Sequence, residues 1–302
     1  MSLEKYKDSS HYRKIFAQIE ALELVEYIKH LDEFGYVVIP PERVAPDTFQ
    51  RRLLQASLDA HDRRTGERIN IAEIETARLA HEGPGFGHGN VLPDDPAFQE
   101  AVLNPTVLAL GRYLCGNSAV LSDVLLAIKQ KDPTLTHPLH TDQHGTPPPL
   151  PPYAQVANVT WAMTEYTRVN GPLAIVPGSH LKARYPSLEE GDFLREDAPV
   201  KAIPVEAAAG SLIAWHGATW HGAYPREAAG LRLNLILAFT RVYMKPIRNL
   251  RDSLSQEVID RYPPEFSRLI GANSLYPLES VDKKDMAENN RYMISAGYNP
   301  WA

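Results

Sequence analysis

The sequence predicts an antiparallel double-sheet jelly roll with flanking helices, a mainly β fold of the double-stranded β-helix kind. Three observations lead there. From residue 119 onward, short β-branched and aromatic runs recur at 119–130, 155–163, 173–176, 211–215, 219–223 and 231–243. Gly, Pro and Asn separate them, as turns between strands require. Most of the gaps hold no helix of matching length, so the βαβ repeat of a parallel sheet is absent.

The earlier residues read as helices that pack on those sheets. Ile15, Ile19, Leu22, Val25, Ile28, Leu31 and Phe34 fall at helical steps and predict one helix over 15–34. Gly35 sits where a helix C-cap belongs, and Tyr36-Val37-Val38-Ile39 reads as a strand stopped by Pro40 and Pro41. A second helix begins at Asp47, taken as its N-cap, carries Phe49, Leu53, Leu54 and Leu58 on one face, and ends near Gly66. Two short helices follow, each opened by a cap-plus-proline pair, Asp95-Pro96 and Asn104-Pro105; Gly116 closes the second. Beyond 250, Leu254, Val258 and Ile259 suit a helix that gives way to an aromatic, polar tail. No linker interrupts the chain. Residues 1–302 are therefore expected to form one domain, with helices over about 12–116, a jelly-roll core over about 119–243 and an extension over 244–302.

A net charge of −6 provides no basic footprint for nucleic acid. No apolar run reaches the roughly 18 residues of a membrane span. The opening MSLEKYKDSS lacks the apolar centre of a signal peptide. Cys115 is the single cysteine, which points to a reducing, cytoplasmic setting. These properties favour a small-molecule partner and leave the oligomeric state open.

The chemistry concentrates in His137-Pro138-Leu139-His140-Thr141-Asp142-Gln143-His144, which holds three of the eleven histidines. In a strand, side chains two apart share a face, so His140 and Asp142 present an imidazole and a carboxylate together. A third ligand would complete the 2-His-1-carboxylate triad that leaves open positions on Fe(II). The stretch 210–222 reads as strand, tight turn, strand, with His216 and His221 at the two ends of the turn, and either could close the triad. Arg232 lies eleven residues past His221, inside the apolar run 231–239. A guanidinium buried there needs an anion: either a structural Asp or Glu, or a ligand carboxylate gripped through a bidentate fork. Asn170-Gly171-Pro172-Leu173 and Pro177-Gly178-Ser179-His180 read, on physics alone, as turn, short strand and turn.

These pieces, in this order, resemble the phytanoyl-CoA dioxygenase family of Fe(II)/2-oxoglutarate oxygenases. Phe34-Gly35-Tyr36-Val37-Val38-Ile39-Pro40 is similar to the family's opening signature, His140-Thr141-Asp142 to its metal pair, and the Asn-Gly-Pro-Leu and Pro-Gly-Ser-His runs to its most recognisable segment. Trp220-His221-Gly222 followed by Arg232 matches the distal ligand and the cosubstrate arginine. The resemblance covers about residues 25–241. It implies Fe(II) held by His140, Asp142 and His221, and 2-oxoglutarate held by Arg232; Gln130 and Thr160, on strands expected to line the barrel, are candidates for further hydrogen bonds to the cosubstrate. It selects His221 over His216, and leaves His180 structural. The implied activity is oxidation of a small organic molecule by O₂, most simply hydroxylation, with release of succinate and CO₂. Asp142 stands where related halogenases carry a small residue that admits chloride, which favours hydroxylation. A cupin-like binding protein without oxygenase activity and a zinc hydrolase are the alternatives.

His216, Trp215, His144 and His88 are the candidates for substrate contact. Trp161, Trp215, Trp220 and Tyr166 could line an apolar pocket or belong to the core. Two loops could shape the mouth: 146–153, with five prolines among positions 147–152, and the glycine-rich 83–90, read as a mobile cover. The sequence contains no polybasic patch for the phosphates of a CoA ester.

Overall fold

In a computed structural model, residue 7 and residues 12–80, 85–134, 136–143 and 145–272 are described. The apolar stripe over 15–34 forms two helices instead of one: α1 (Arg13–Ala21) and α2 (Val25–Phe34). Glu23 adopts the left-handed region at φ 54°, and Leu24 N–H donates to Ile19 O at 2.9 Å. The break has a packing reason. Leu24 is off the stripe of a continuous helix, and the kink carries it into the core, where it is fully buried. Gly35 ends α2 at φ 79°, as the cap position requires.

Strand β1 (Tyr36–Ile39) leads to α3 (Asp47–Thr65). Pro46, rather than Asp47, is the N-cap of α3. Asp47 occupies the first turn, where its charge complements the helix dipole without a side-chain cap bond. The other two caps form as the sequence specifies. Asp95 accepts from Ala97 N–H at the start of α4 (Pro96–Val102), and Asn104 accepts from Thr106 and Val107 N–H at the start of α5 (Pro105–Cys115). Later come α6 (Leu188–Gly191), α7 (Gln256–Asp260) and α8 (Pro264–Leu269), which buries Phe266; the tail from 273 lies outside the described residues.

The remaining strands are β2 (Gly85–His88), β3 (Val120–Lys129), β4 (His137–His140), β5 (Val156–Ala162), β6 (Leu173–Ile175), β7 (Ile203–Val205), β8 (Leu212–His216), β9 (His221–Ala223) and β10 (Arg232–Thr240). They form a six-stranded sheet ordered β1-β8-β5-β10-β3-β2 and a four-stranded sheet ordered β4-β9-β6-β7. All the strand pairings in both are antiparallel. The fold is the predicted jelly roll. One expectation fails: within the glycine-rich 83–90, residues 85–88 are not a loop but an edge strand registered on β3, and 83–84 lie outside the described residues. Gly85 approaches the β3 backbone so closely that a Cβ would come within 1.8 Å of Ile128 O.

Strand parity divides the six-stranded sheet between two environments. Val124, Leu126 and Ile128 of β3 and Leu233, Leu235, Leu237 and Phe239 of β10 face the helices and are almost fully buried. There α5 lies across β5 and β10, with Gly111 leaving space for the Phe239 ring. Truncating one of these leucines to alanine would cost about 2–5 kcal/mol, because the cavity cannot close. The alternate residues face the second sheet. Ala162, Tyr166, Ile175, Val205, Ile213 and Trp215 form an apolar cluster between the sheets, and the rest of that face remains open.

Candidate metal centre

Strands β4 and β9 place two histidines directly opposite each other, His140 against His221. Gly222 allows this approach: a Cβ there would come within 2.3 Å of His137 O. In each imidazole, Nδ1–H donates to the carbonyl two residues back, Pro138 O and Thr219 O, both at 2.9 Å. That fixes ring orientation and leaves each Nε2 as the ligand atom. Both face Asp142, just past β4, whose N–H is held by Gly217 O at 2.8 Å. His221 Nε2 lies 3.2 Å from Asp142 Oδ2 and His140 Nε2 lies 3.8 Å from Oδ1. The three ligand atoms all fall within 4.8 Å of one another, a spacing one cation can bridge.

The electrostatics favour a cation. Burial, followed by the neighbouring His221, pushes the His140 imidazole down to about 4, so it is neutral near pH 7. Burial alone would raise Asp142, yet His221, His140 and the Trp215 N–H together hold it well below the usual carboxylate range. Burial would likewise lower His221, but the Asp142 carboxylate outweighs it and raises the imidazole. Without metal, a proton shared between His221 and Asp142 occupies the space a cation would take, so metal and proton compete. Asn158 Nδ2 donates to Asp142 Oδ2 at 2.6 Å, and Trp215 Nε1 to the same oxygen at 3.3 Å. That oxygen is engaged three ways, and Oδ1 is the oxygen turned toward His140 Nε2.

The triad opens on a cavity of about 360 Å³, within the usual range for small-molecule sites. His137, whose ring lies 4.5 Å from that of His140, forms part of its wall. At one end lies Arg232, 7% exposed. Its Nη1 donates to Gly171 O and its Nη2 to Asn234 Oδ1 at 3.0 Å, with the Tyr166 ring 4.5 Å away. Its Nε is buried with no partner, and among the described residues it pairs with no carboxylate. Arg226 and Lys129 crowd the same corner, and burial, then Arg232 and Arg226, lowers Lys129 to about 7. A buried, partly unsatisfied cationic corner of this kind is costly unless an anion enters it. A dicarboxylate cosubstrate therefore fits the residues present, and the Thr160 hydroxyl, buried without a partner in the cavity wall, is a further donor.

Parity sorts the other sequence candidates. Trp215 and Tyr166 line the cavity; Trp161 and Trp220 are core. Three candidates face away from the cavity. His216 is one residue on from Trp215, so it points to the helix side, where Nδ1 accepts from Ala218 N–H. Gln130 follows Lys129 and turns the same way, accepting from Leu79 N–H at 3.0 Å. His88 is registered with core-facing Leu126 and contacts His61 at 2.9 Å. His144 lies outside the described residues. The proline stretch 147–152 contributes no residue to the cavity wall. Asn158, Asn234 and Lys129 were not singled out from sequence. The signal was available: counting in twos from Arg232 gives Asn234, and counting in twos from Thr160 gives Asn158.

Comparison with known proteins agrees with this geometry. Solved structures of non-haem 2-oxoglutarate enzymes share the fold. The carbocyclase SnoK from nogalamycin biosynthesis superimposes with a TM-score of 0.55 at 20% identity, covering 76% of this chain and 90% of SnoK. HygX from Streptomyces hygroscopicus, solved with nickel and 2-oxoglutarate, does so at 0.55 and 17%, covering 74% of this chain and 89% of HygX. The fold is thus that of the jelly-roll oxygenases. Residues 31–233 match the family described as phytanoyl-CoA dioxygenase (PhyH), and the chain belongs to that family. Among relatives, dioxygenase af480 of Aspergillus fumigatus is 25% identical over 266 residues, covering 86% of this chain and 80% of its own. A probable phytanoyl-CoA dioxygenase of Caenorhabditis elegans is 26% identical over 187 residues, covering 55% and 59%.

Proposed function

We propose that this protein is an Fe(II)- and 2-oxoglutarate-dependent dioxygenase that hydroxylates a small organic molecule, with His140, Asp142 and His221 holding iron and Arg232 holding the cosubstrate. One observation carries the reading. Two imidazole nitrogens and a carboxylate converge on one cavity that also ends at a buried arginine with no carboxylate partner among the described residues. A zinc hydrolase would have no use for that arginine; a binding barrel would use it only to hold an anionic ligand, and 2-oxoglutarate-dependent turnover separates that reading from an oxygenase.

Iron with 2-oxoglutarate supplies the oxidising power, and succinate and CO₂ leave as by-products. The chain's own residues bind and orient. The Nδ1–H bonds to Pro138 and Thr219 keep both imidazoles in the ligating tautomer. Asn158 and Trp215 hold one oxygen of Asp142 and present the other. Arg232, with Nε unpartnered, receives the distal carboxylate, and Tyr166 closes the corner behind it. The aliphatic wall, which includes Leu125, Ile213 and Ile236, excludes water from the reacting end. A carboxylate at position 142, in place of a small residue, favours hydroxylation over halogenation.

We also read the described residues as one folding unit, since α5 lies directly on the large sheet. A reducing compartment suits the single, fully buried Cys115, whose thiol burial pushes up to about 12. No helix among the described residues is long and apolar enough to cross a membrane.

The test is direct. Fe(II) and 2-oxoglutarate added to the anaerobic metal-free protein should produce the weak visible charge-transfer band of chelated cosubstrate. In Arg232→Ala the 2-oxoglutarate concentration needed for that band should rise by about 30-fold or more, the usual loss when one partner of a buried charge pair is removed. Metal uptake without any band would sink the cosubstrate assignment.

A further inference from the structure

The cavity wall can be read in transverse rows from strand register, and the rows divide its chemistry. Arg232 is level with Lys129, and Asn234 with Ala127 and Ala162. Ile236 is level with Leu125 and Thr160, with Ile213 beyond. Ala238 is level with Asp123 and Asn158, with Trp215 beyond. Asp142 hangs from Asn158 and Trp215, so the metal-binding carboxylate belongs to this last row, at the opposite end from Arg232. Asp123 is two strands from Asn158, about 10 Å across the sheet.

A short strap, 245–249, crosses that end. Ile247 N–H donates to Ser122 Oγ at 2.8 Å and Arg248 N–H to Ser122 O at 3.0 Å. Arg248 Nε donates to Asp123 Oδ2 at 2.8 Å. The guanidinium lies flat on Gly89, where a Cβ would come within 2.2 Å of Nη2. The pinned strap places Ile247 in the cavity lining, yet the residue is 72% exposed. A large aliphatic side chain held by main-chain bonds at the mouth of a cavity differs from one scattered on a surface.

The charges at this end are already matched. Asp123 accepts from Asn90 N–H, Val124 N–H and Arg248. Asp142 accepts from Asn158 and Trp215 and faces the two imidazoles. Among the described residues, what remains around the metal end besides the His137 ring and the Thr160 hydroxyl is aliphatic: Leu125, Ile236, Ala238 and Ile247. A substrate charge placed here would lose its hydration and, among the described residues of the lining, meet no unmatched opposite charge.

We propose that the substrate presents to the metal an uncharged, aliphatic or alicyclic body, which lies on Ala238 and Leu125 and is covered by Ile247, and that the 245–249 strap is the specificity element. This assignment rests on the oxygenase reading of the site.

Three probes of one shape test it: 1-adamantanol, 1-adamantanecarboxylate and 1-adamantanamine, titrated calorimetrically into protein loaded with Ni(II) and 2-oxoglutarate. The alcohol should bind at least about tenfold more tightly than either ion. Ile247→Ala should weaken the alcohol about tenfold through lost apolar contact. Arg248→Gln, an exposed change outside the cavity lining that loosens the strap and removes one of the groups bonded to Asp123, should weaken it about threefold. Preference for an ion, equal binding of all three, binding by none, or an Ile247→Ala protein indistinguishable from wild type would each overturn the proposal. The same titrations are run on metal-free protein. Failure to take up nickel and 2-oxoglutarate would count against the oxygenase reading, while the probe comparison on metal-free protein would still judge the strap.

Discussion

Two pairs of histidines lie on opposite faces of this jelly roll, and they differ in what surrounds almost identical chemistry. His140 and His221 have ring centroids 4.3 Å apart; His180 and His216 have them 5.3 Å apart. In each pair a backbone group fixes one nitrogen of each ring. Pro138 O and Thr219 O serve the first pair, Asp32 O and Ala218 N–H the second. In each pair one nitrogen per ring is then left over. On the cavity face the spare nitrogens meet Asp142. On the helix face, His180 Nδ1 and His216 Nε2 are buried with no hydrogen-bond partner among the described residues. The capacity to hold a metal therefore depends less on having two imidazoles than on the carboxylate between them and the open space in front.

The sharpest way to break this comparison is to remove one histidine from each pair. His221→Ala should lower Co(II) or Fe(II) affinity by about 10³-fold, since one of three ligands and the neutralising partner of Asp142 are lost. His216→Leu should leave metal affinity unchanged, as read by metal-dependent absorbance or calorimetry. If the two variants lost metal equally, the helix-face pair would have to be part of the site.

A smaller effect is expected from the groups that hold the carboxylate. Asn158→Ala leaves His140, Asp142 and His221 in place but removes the 2.6 Å bond on Asp142 Oδ2, and should weaken metal binding by about 10–100-fold. An unchanged affinity would mean that Trp215 alone orients the carboxylate.

The helix-face pair should instead govern acid sensitivity. Burial pushes His180 down to about 4, and burial, then His180, pushes His216 well below its ordinary value. For a base depressed in the folded state, the unfolded chain binds more protons below about pH 6.5. Stability is thus fully present above that pH and is lost as the pH falls toward 4. Between pH 7 and pH 5 each histidine should remove about 1–2 kcal/mol of unfolding free energy. Urea unfolding at the two pH values reads the change, and His216→Leu should flatten the slope.

The smallest predicted effect concerns Gln130. Its carboxamide holds Leu79 N–H away from the cavity, so Gln130→Ala should leave 2-oxoglutarate affinity unchanged and cost about 1–2 kcal/mol of stability from a buried, orphaned N–H. A cosubstrate affinity that fell with this substitution would place the side chain in the site after all.

Gln130 also shows where sequence reading stopped. A place on a strand lining the barrel made it a candidate, but β3 ends at Lys129, and Gln130, one residue further on, turns to the other face. Naming both Trp215 and His216 as substrate contacts contained the same conflict, since adjacent strand residues cannot share a face. The glycine-rich segment misled for a related reason. Glycines suit a mobile loop, yet Gly85–His88 pairs with β3, and the missing side chain at Gly85 allows the backbones to approach. The single helix anticipated over 15–34 failed at Leu24, because burial of a residue off the stripe outweighed helical continuity.

By itself the sequence determined the strand-rich core, the helix caps at Asp95 and Asn104, and which residue types could bind a metal, because these depend on local spacing and on neighbours within a few positions. The family segments extended that to His221 and Arg232, which are far from His140 in the chain. Only the tertiary structure decided that Asn158 and Trp215 hold Asp142, that Arg232 ends the cavity without a carboxylate among the described residues, and that Ile247 hangs over the opposite end. Those relations join residues from different strands across sheet register and between sheets. Register is set by the packing of the whole barrel, so no local pattern in the chain encodes it.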